Sequence, residues 1–161
     1  MLEKNKLTIA EEYLETAFQL QMNGKIDEAI ENYKLSIEFF PTAQAYTFLG
    51  WALSKKGKIE DAIINCKIAI EIDPDFGNPY NDIGSYLVSL GRDDEAIDWF
   101  NKAIDAKNYI PRHFPYYNLG KVFEKRGKWF EAISFYNKAI ELEPNYKPAS
   151  DAVSQLTALM N

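Results

Sequence analysis

"YTFLGWALSKKGKIEDAIINCKIAIEIDP", residues Tyr46 to Pro74, sets Gly at 50 and 57, Ala at 62 and 69, and Pro at 74. Before Gly57, the residues Tyr46, Leu49, Gly50 and Leu53 fall at i, i+3, i+4 and i+7, one face of a helix. Gly57 admits the left-handed backbone conformation that commonly closes a helix. After it, Ala62, Ile63, Cys66, Ala69 and Ile70 make a second helical stripe. Pro74 cannot continue that helix, so the chain turns there. Small residues at Gly50 and Ala62 are expected where two helix backbones approach closely.

The same punctuation returns along the chain. Glycines 24, 57, 91 and 127 are separated by 33, 34 and 36 residues. Alanines 29, 62, 96 and 132 follow them at a constant offset of five, and Tyr33, Cys66, Phe100 and Tyr136 come four residues later. Self-similarity at this period marks a stacked array of one supersecondary unit. The reading is all-α, a single domain over 1–161, with helix pairs over about 10–42, 43–76, 77–112 and 113–146. Residues 147–160 form a helical pattern too short for a fifth pair. They are expected to cap the stack, with Ala149, Val153, Leu156 and Met160 on the covered side.

Two units depart from the pattern. The first has Ala17 where the others have Gly50, Gly84 and Gly120. The third has Asn108 where a proline is expected and two extra residues before the fourth, so "AKNYIPRHFPYY" is a longer turn. A local change of superhelical twist is expected there.

Composition narrows the function classes. A hydrophobic content of 47% with 14% aromatics excludes a disordered chain. A net charge of −6 without a basic stripe repels a phosphate backbone, so nucleic acid is not expected as a ligand. Residues 1–42 hold four Lys/Arg against eight Asp/Glu, whereas residues 113–146 hold five against four. The single cysteine, Cys66, forms no internal disulfide. MLEKNKLTIAEEYLETAF has acidic residues where a signal peptide has its apolar core, and no apolar run approaches the ~18 residues of a membrane span. A soluble cytoplasmic protein without membrane attachment is the expectation.

Tyr46, Leu49, Gly50, Leu53, Ala62, Cys66 and Pro74 together resemble the tetratricopeptide repeat (TPR) pattern. Tyr80, Ile83, Gly84, Leu87, Ala96 and Phe100 repeat it, as do Tyr116, Leu119, Gly120, Phe123, Ala132, Tyr136 and Pro144. Tyr13, Ala17, Leu20, Ala29, Tyr33 and Pro41 give a weaker first copy. The resemblance implies a right-handed α-solenoid of antiparallel helix pairs. In that family the first helices line a concave groove that receives a peptide or an extended segment of another protein. It implies an adaptor or scaffold, not an enzyme. The alternative is an assembly module that self-associates through convex or terminal surfaces.

With Tyr46, Leu49, Gly50 and Leu53 committed to the pair interface, Thr47 and Trp51 lie about 120° away and should face the groove. The matching residues are Leu14 and Phe18, Asn81 and Ser85, and Tyr117 and Lys121, flanked by Asn78 and Phe114. Phe18 and Trp51 either contact a ligand or pack on each other across neighbouring repeats. One TPR subtype holds acidic chaperone tails through a clamp of Lys, Asn and Arg. Leu14 and Phe18 stand where its first Lys and Asn would be, so that clamp is not expected. Trp129 and Phe130 open the last second helix where the other repeats have Ile26-Asp27, Ile59-Glu60 and Asp93-Asp94, and Trp99 and Phe135 stand where the first two have Asn32 and Asn65. These four aromatics are either a convex self-association patch or local packing around the long turn.

No residue set carries catalysis, a cofactor or a metal. His113, the only histidine, lies in the long turn, where a surface or capping role is expected. "DPDFGNPYNDIG" begins like a calcium loop, but Gly77 and Asn78 displace a ligand and the obligatory glycine, and Gly84 replaces the bidentate glutamate. Cys66 is read as a small buried hydrophobe. The acidic run Asp93-Asp94-Glu95 opens a helix, where negative charge suits the dipole.

Overall fold

In the computed structural model, which describes residues 2–160, nine helices follow one another. The first is α1 (Leu2–Met22), followed by α2 (Ile26–Phe39), α3 (Ala43–Lys55), α4 (Ile59–Ile72) and α5 (Asn78–Ser89). The rest are α6 (Asp93–Asp105), α7 (His113–Lys125), α8 (Trp129–Leu142) and α9 (Lys147–Met160). The pairs α1–α2, α3–α4, α5–α6 and α7–α8 are hairpins, and each packs on the next.

The hairpin turns follow from the glycines. Gly57 has φ +76°, and Lys58 N–H donates to the Leu53 carbonyl at 3.0 Å, so the last orphan carbonyls of α3 find partners. Gly24, Gly91 and Gly127 repeat that conformation. Acids fill the first turn of every second helix, Asp93, Asp94 and Glu95 in α6 among them.

Within each hairpin a small residue lets the backbones close. A Cβ placed on Gly84 would stand 2.5 Å from the Phe100 ring, and one on Gly120 would stand 2.4 Å from the Tyr136 ring. At Gly50 the neighbours are the Ala62 carbonyl oxygen at 3.0 Å and Cys66 Sγ at 3.2 Å. The core runs along the stack through Ala29, Tyr33, Leu49, Ala62, Ile83, Phe100 and Leu119, with a second cluster around Tyr136, Ala149 and Leu156.

First helices of successive hairpins also touch, α1 to α3, α3 to α5 and α5 to α7, while second helices do not pack comparably. The array therefore curves with its first helices on the inner side. The cap α9 covers α8 with Ala149 and Leu156 buried and Val153 half-buried. Met160, expected on that covered side, stays exposed in the last turn.

The long turn after α6 is tied to its neighbours. Asn108 N–H donates to the Asp75 carbonyl at 2.8 Å, and Gly77 N–H returns to the Asn108 carbonyl at 3.1 Å, a one-residue β-bridge between two inter-repeat turns. A proline at 108 would have no N–H to give. Tyr109 is buried over Gly77, where an added Cβ would lie 2.2 Å from the tyrosine Cβ. The Arg112 guanidinium donates to the carbonyls of Ile104 and Ala106 and so caps α6.

Candidate functional site: the concave face

Two adjoining cavities open on the inner face of the C-terminal half. One, of ≈ 190 Å³, is lined by Ser85 and Val88 of α5, Phe100 of α6, and Asn118, Lys121, Val122 and Lys125 of α7. The other, of ≈ 520 Å³, is bounded by Tyr117, Lys121, Glu124 and Lys125 of α7, by Tyr136, and by Pro148, Asp151, Ala152 and Gln155 of α9. Lys121 and Lys125 belong to both, so the cavities form one trough crossing α5, α7 and α9.

Of the residues expected in the groove, Ser85, Tyr117 and Lys121 line this trough. Tyr117 packs its ring 5.5 Å from Tyr136 and 5.2 Å from Tyr146. Lys121 reaches back over the Tyr117 ring at 5.0 Å. Desolvation against the trough wall holds its ammonium below the ordinary lysine pKa. Asn78 is half-buried at the start of α5. Phe114, expected to flank the groove, lies in a cluster with His113 at 4.1 Å and Tyr146 at 5.7 Å. The same enclosure lowers the His113 pKa by desolvation.

Two expectations need correction. Thr47 is 1% exposed, and its hydroxyl donates to the Ala43 carbonyl at 2.7 Å. Its polar atom is satisfied within its own helix, so the short side chain is sealed between helices and offers a ligand nothing. Asn81 is 9% exposed and accepts from Asn118 Nδ2 at 3.0 Å. It is a strut between α5 and α7, with its amide oxygen already used.

The N-terminal half of the inner face is more closed. Leu14 is half-buried against the core. Phe18 pairs not with Trp51 but with Phe48, at 5.7 Å, and Phe48 in turn meets the edge of Tyr33. Trp51 is half-buried. Of the two alternatives for Phe18 and Trp51, mutual packing gives way to a Phe18–Phe48 contact, because Phe48 projects back onto the preceding repeat.

Asn118, equivalent to Phe48, does the same, and the sequence reading passed it over. It donates to Asn81 and, at 3.4 Å, to Ser85 Oγ, fixing the polar edge of the smaller cavity. Glu124, Asp151 and Gln155 were likewise unanticipated. A signal for Glu124 existed: residues twelve apart form the pairs Gln21/Tyr33, Ser54/Cys66, Val88/Phe100 and Glu124/Tyr136. Tyr33 donates to Gln21 at 2.8 Å and Tyr136 to Glu124 at 2.5 Å, whereas apolar Phe100 lines the smaller cavity together with Val88.

The convex aromatics divide. Trp99 packs on Tyr80 at 6.0 Å beneath Lys102, and Phe135 packs on Phe123 at 5.1 Å. Trp129 and Phe130 remain 37% and 77% exposed. Cys66 is buried, and its thiol pKa is raised well above the ordinary value by desolvation. Among the described residues no three His, Cys, Asp or Glu side chains gather as a metal site, and no helix is long and apolar enough to cross a membrane.

Tetratricopeptide repeat models match residues 43–76, 78–109 and 113–146. No curated protein gives a significant match to the chain. Among solved structures, PilF of Pseudomonas aeruginosa superposes with a TM-score of 0.89 at 19% identity, over 97% of this chain and 71% of PilF. MamA gives 0.70 at 27% identity, over 87% and 81% of the two chains. YrrB, described as a TPR protein with an unusual peptide-binding site, gives 0.69 at 19% identity, over 89% and 73%. Phased glycine turns, the inner layer of first helices and these matches agree: the chain belongs to the tetratricopeptide repeat family, whose repeats serve as protein-interaction scaffolds.

Proposed function

We propose that this protein is a non-catalytic adaptor that holds a peptide, or an extended segment of another protein, along its concave face. The continuous trough across α5, α7 and α9 carries this reading. It offers apolar floor, hydrogen-bonding amides and hydroxyls, and a cation, the mixture that suits a peptide chain. YrrB, a relative in fold, is described as having a peptide-binding site, which supports the same use here. Ser85, Tyr117 and Lys121 are the contact residues, with Trp51, Phe18, Leu14, Asn78 and Phe114 extending the surface toward the other repeats. A buried free thiol suits a reducing compartment, so we place the protein in the cytoplasm.

A second reading rests on Trp129 and Phe130, which stay exposed at the start of α8 and would serve self-association, whereas Trp99 and Phe135 are packed on Tyr80 and Phe123 and add little to that patch. Photo-crosslinking separates the two. A benzophenone side chain at Ser85 or Gln155 should capture a partner from the source cell, while one at Lys34 or Lys138, on second helices, should not. Capture only from outer positions, or capture of a second copy through position 130, would overturn the groove reading.

A further inference from the structure

The smaller cavity has a definite chemistry. Its interior is apolar, made by Val88, Phe100 and Val122, and its rim is polar, made by Ser85, Asn118, Lys121 and Lys125. At ≈ 190 Å³ it exceeds the ~150 Å³ that accommodates a benzene molecule, so one branched aliphatic or phenyl side chain fits and two do not. The two N–H groups of Asn118 are engaged by Asn81 and Ser85. That leaves the Asn118 amide oxygen as an acceptor and the Ser85 hydroxyl hydrogen as a donor, the pair one peptide unit of an extended ligand requires.

The two rim cations differ. Lys125 is held by Asp93 at 2.8 Å. Lys121 lies over the Tyr117 ring at 5.0 Å and, among the described residues, forms no salt bridge. On the far side of Lys121 stand Glu124, bound by Tyr136, and Asp151, bound by Lys147. A run of ligand carboxylates would meet these two acids, whereas a single carboxylate over Lys121 would not.

Building on the groove reading, we infer that the ligand segment presents one aliphatic or phenyl side chain to the Val88–Phe100–Val122 cavity and a single Asp or Glu beside it to Lys121. Recognition is of an apolar–acidic pair within an extended chain, and acidic tails are rejected.

A phage-displayed library of random dodecapeptides, selected on the purified chain, tests this. Enriched sequences should share the pair, and fluorescein-labelled copies should lose about tenfold or more in affinity against Lys121→Glu. Replacing the acid of the peptide by Lys should restore binding to Lys121→Glu. Val88→Phe, which fills the cavity, should abolish binding with helicity retained, and Lys138→Glu on the outer face should change nothing. If Val88→Phe fails to fold, the charge exchange at Lys121 decides alone. Enriched peptides that crosslink from Ser85 but lack the pair, or that bind Lys121→Glu unchanged, overturn this inference and leave the groove standing. If no enriched peptide crosslinks from Ser85 or Gln155, both fall.

Discussion

Replacing Gly120 by alanine adds one methyl group where α7 crosses α8, and its consequences can be worked from distances. The new Cβ would sit 2.4, 2.5 and 2.9 Å from three atoms of the Tyr136 ring. Ordinary carbon contacts lie near ~3.5 Å, so the ring must retreat by about 1 Å. Overpacking of that kind costs about 1–3 kcal/mol. Moving the ring also strains the Tyr136–Glu124 hydrogen bond, and a bond to a charged group contributes about 1.5–3 kcal/mol. Against this, alanine gains about 1 kcal/mol in helix propensity. The net expectation is a loss of about 1–3 kcal/mol, or a fall in Tm of roughly 3–10 °C for a chain of this size.

Gly50→Ala is the internal control. Its added methyl meets the Ala62 carbonyl oxygen at 3.0 Å and Cys66 Sγ at 3.2 Å, with no ring in the way. The propensity gain should leave it within ~1 kcal/mol of the parent. The first repeat already carries the alanine, since Ala17 and Tyr33 are both fully buried and Tyr33 still reaches Gln21. An alanine is therefore compatible with a tyrosine partner where the helices are spaced for it. What is measured at Gly120 is the work of re-spacing α7 and α8. Paired thermal and urea unfolding decides the matter. A Gly120→Ala protein as stable as the parent, or a Gly50→Ala protein equally damaged, would refute the close-approach reasoning.

Desolvation raises the Asp82 carboxyl to about 7, so the folded protein keeps a proton that the unfolded chain, with a carboxyl near 3.8, has lost. Its contribution is fully present below about 4 and disappears as pH rises through 7, so Asp82→Asn should raise Tm at pH 8 and leave it nearly unchanged at pH 4; an equal gain at both pH values would refute this. Asn108→Pro, which restores the repeat pattern, should destabilise by about 1–3 kcal/mol because it deletes the N–H given to Asp75, and hydrogen exchange at Gly77 should accelerate; unchanged protection there would count against the bridge. Tyr136→Phe should cost about 1–3 kcal/mol by leaving the Glu124 carboxylate without its donor, measurable by urea unfolding; a neutral effect would mean that water already serves that carboxylate.

The hairpins were legible because their signals are local: a glycine at the turn, an alanine five residues on, a small residue at the crossing. The inner face was legible only in part. Helical periodicity gives the angle at which Thr47, Asn81 and Tyr117 leave their own helices, but exposure depends on the neighbouring repeat. Phe48, Asp82 and Asn118 occupy equivalent places, and two of them reach back onto the helix before: Phe48 to Phe18, Asn118 to Asn81. No single-repeat pattern contains that contact. The cap was recognised as a cover, whereas its lining of the trough through Asp151 and Gln155 depends on where α9 comes to rest.

In a simple solenoid each unit feels only the units on either side, and melting can creep inward from both ends. The bridge from Asp75 and Gly77 to Asn108, with Tyr109 pressed on Gly77, fastens the entrance of the third hairpin to its exit. Fraying that starts at the N-terminus should halt at this clasp, leaving α5 to α9 as a surviving block. Because the trough lies wholly inside that block, a truncated or partly melted chain would lose its first two hairpins and still keep the trough intact.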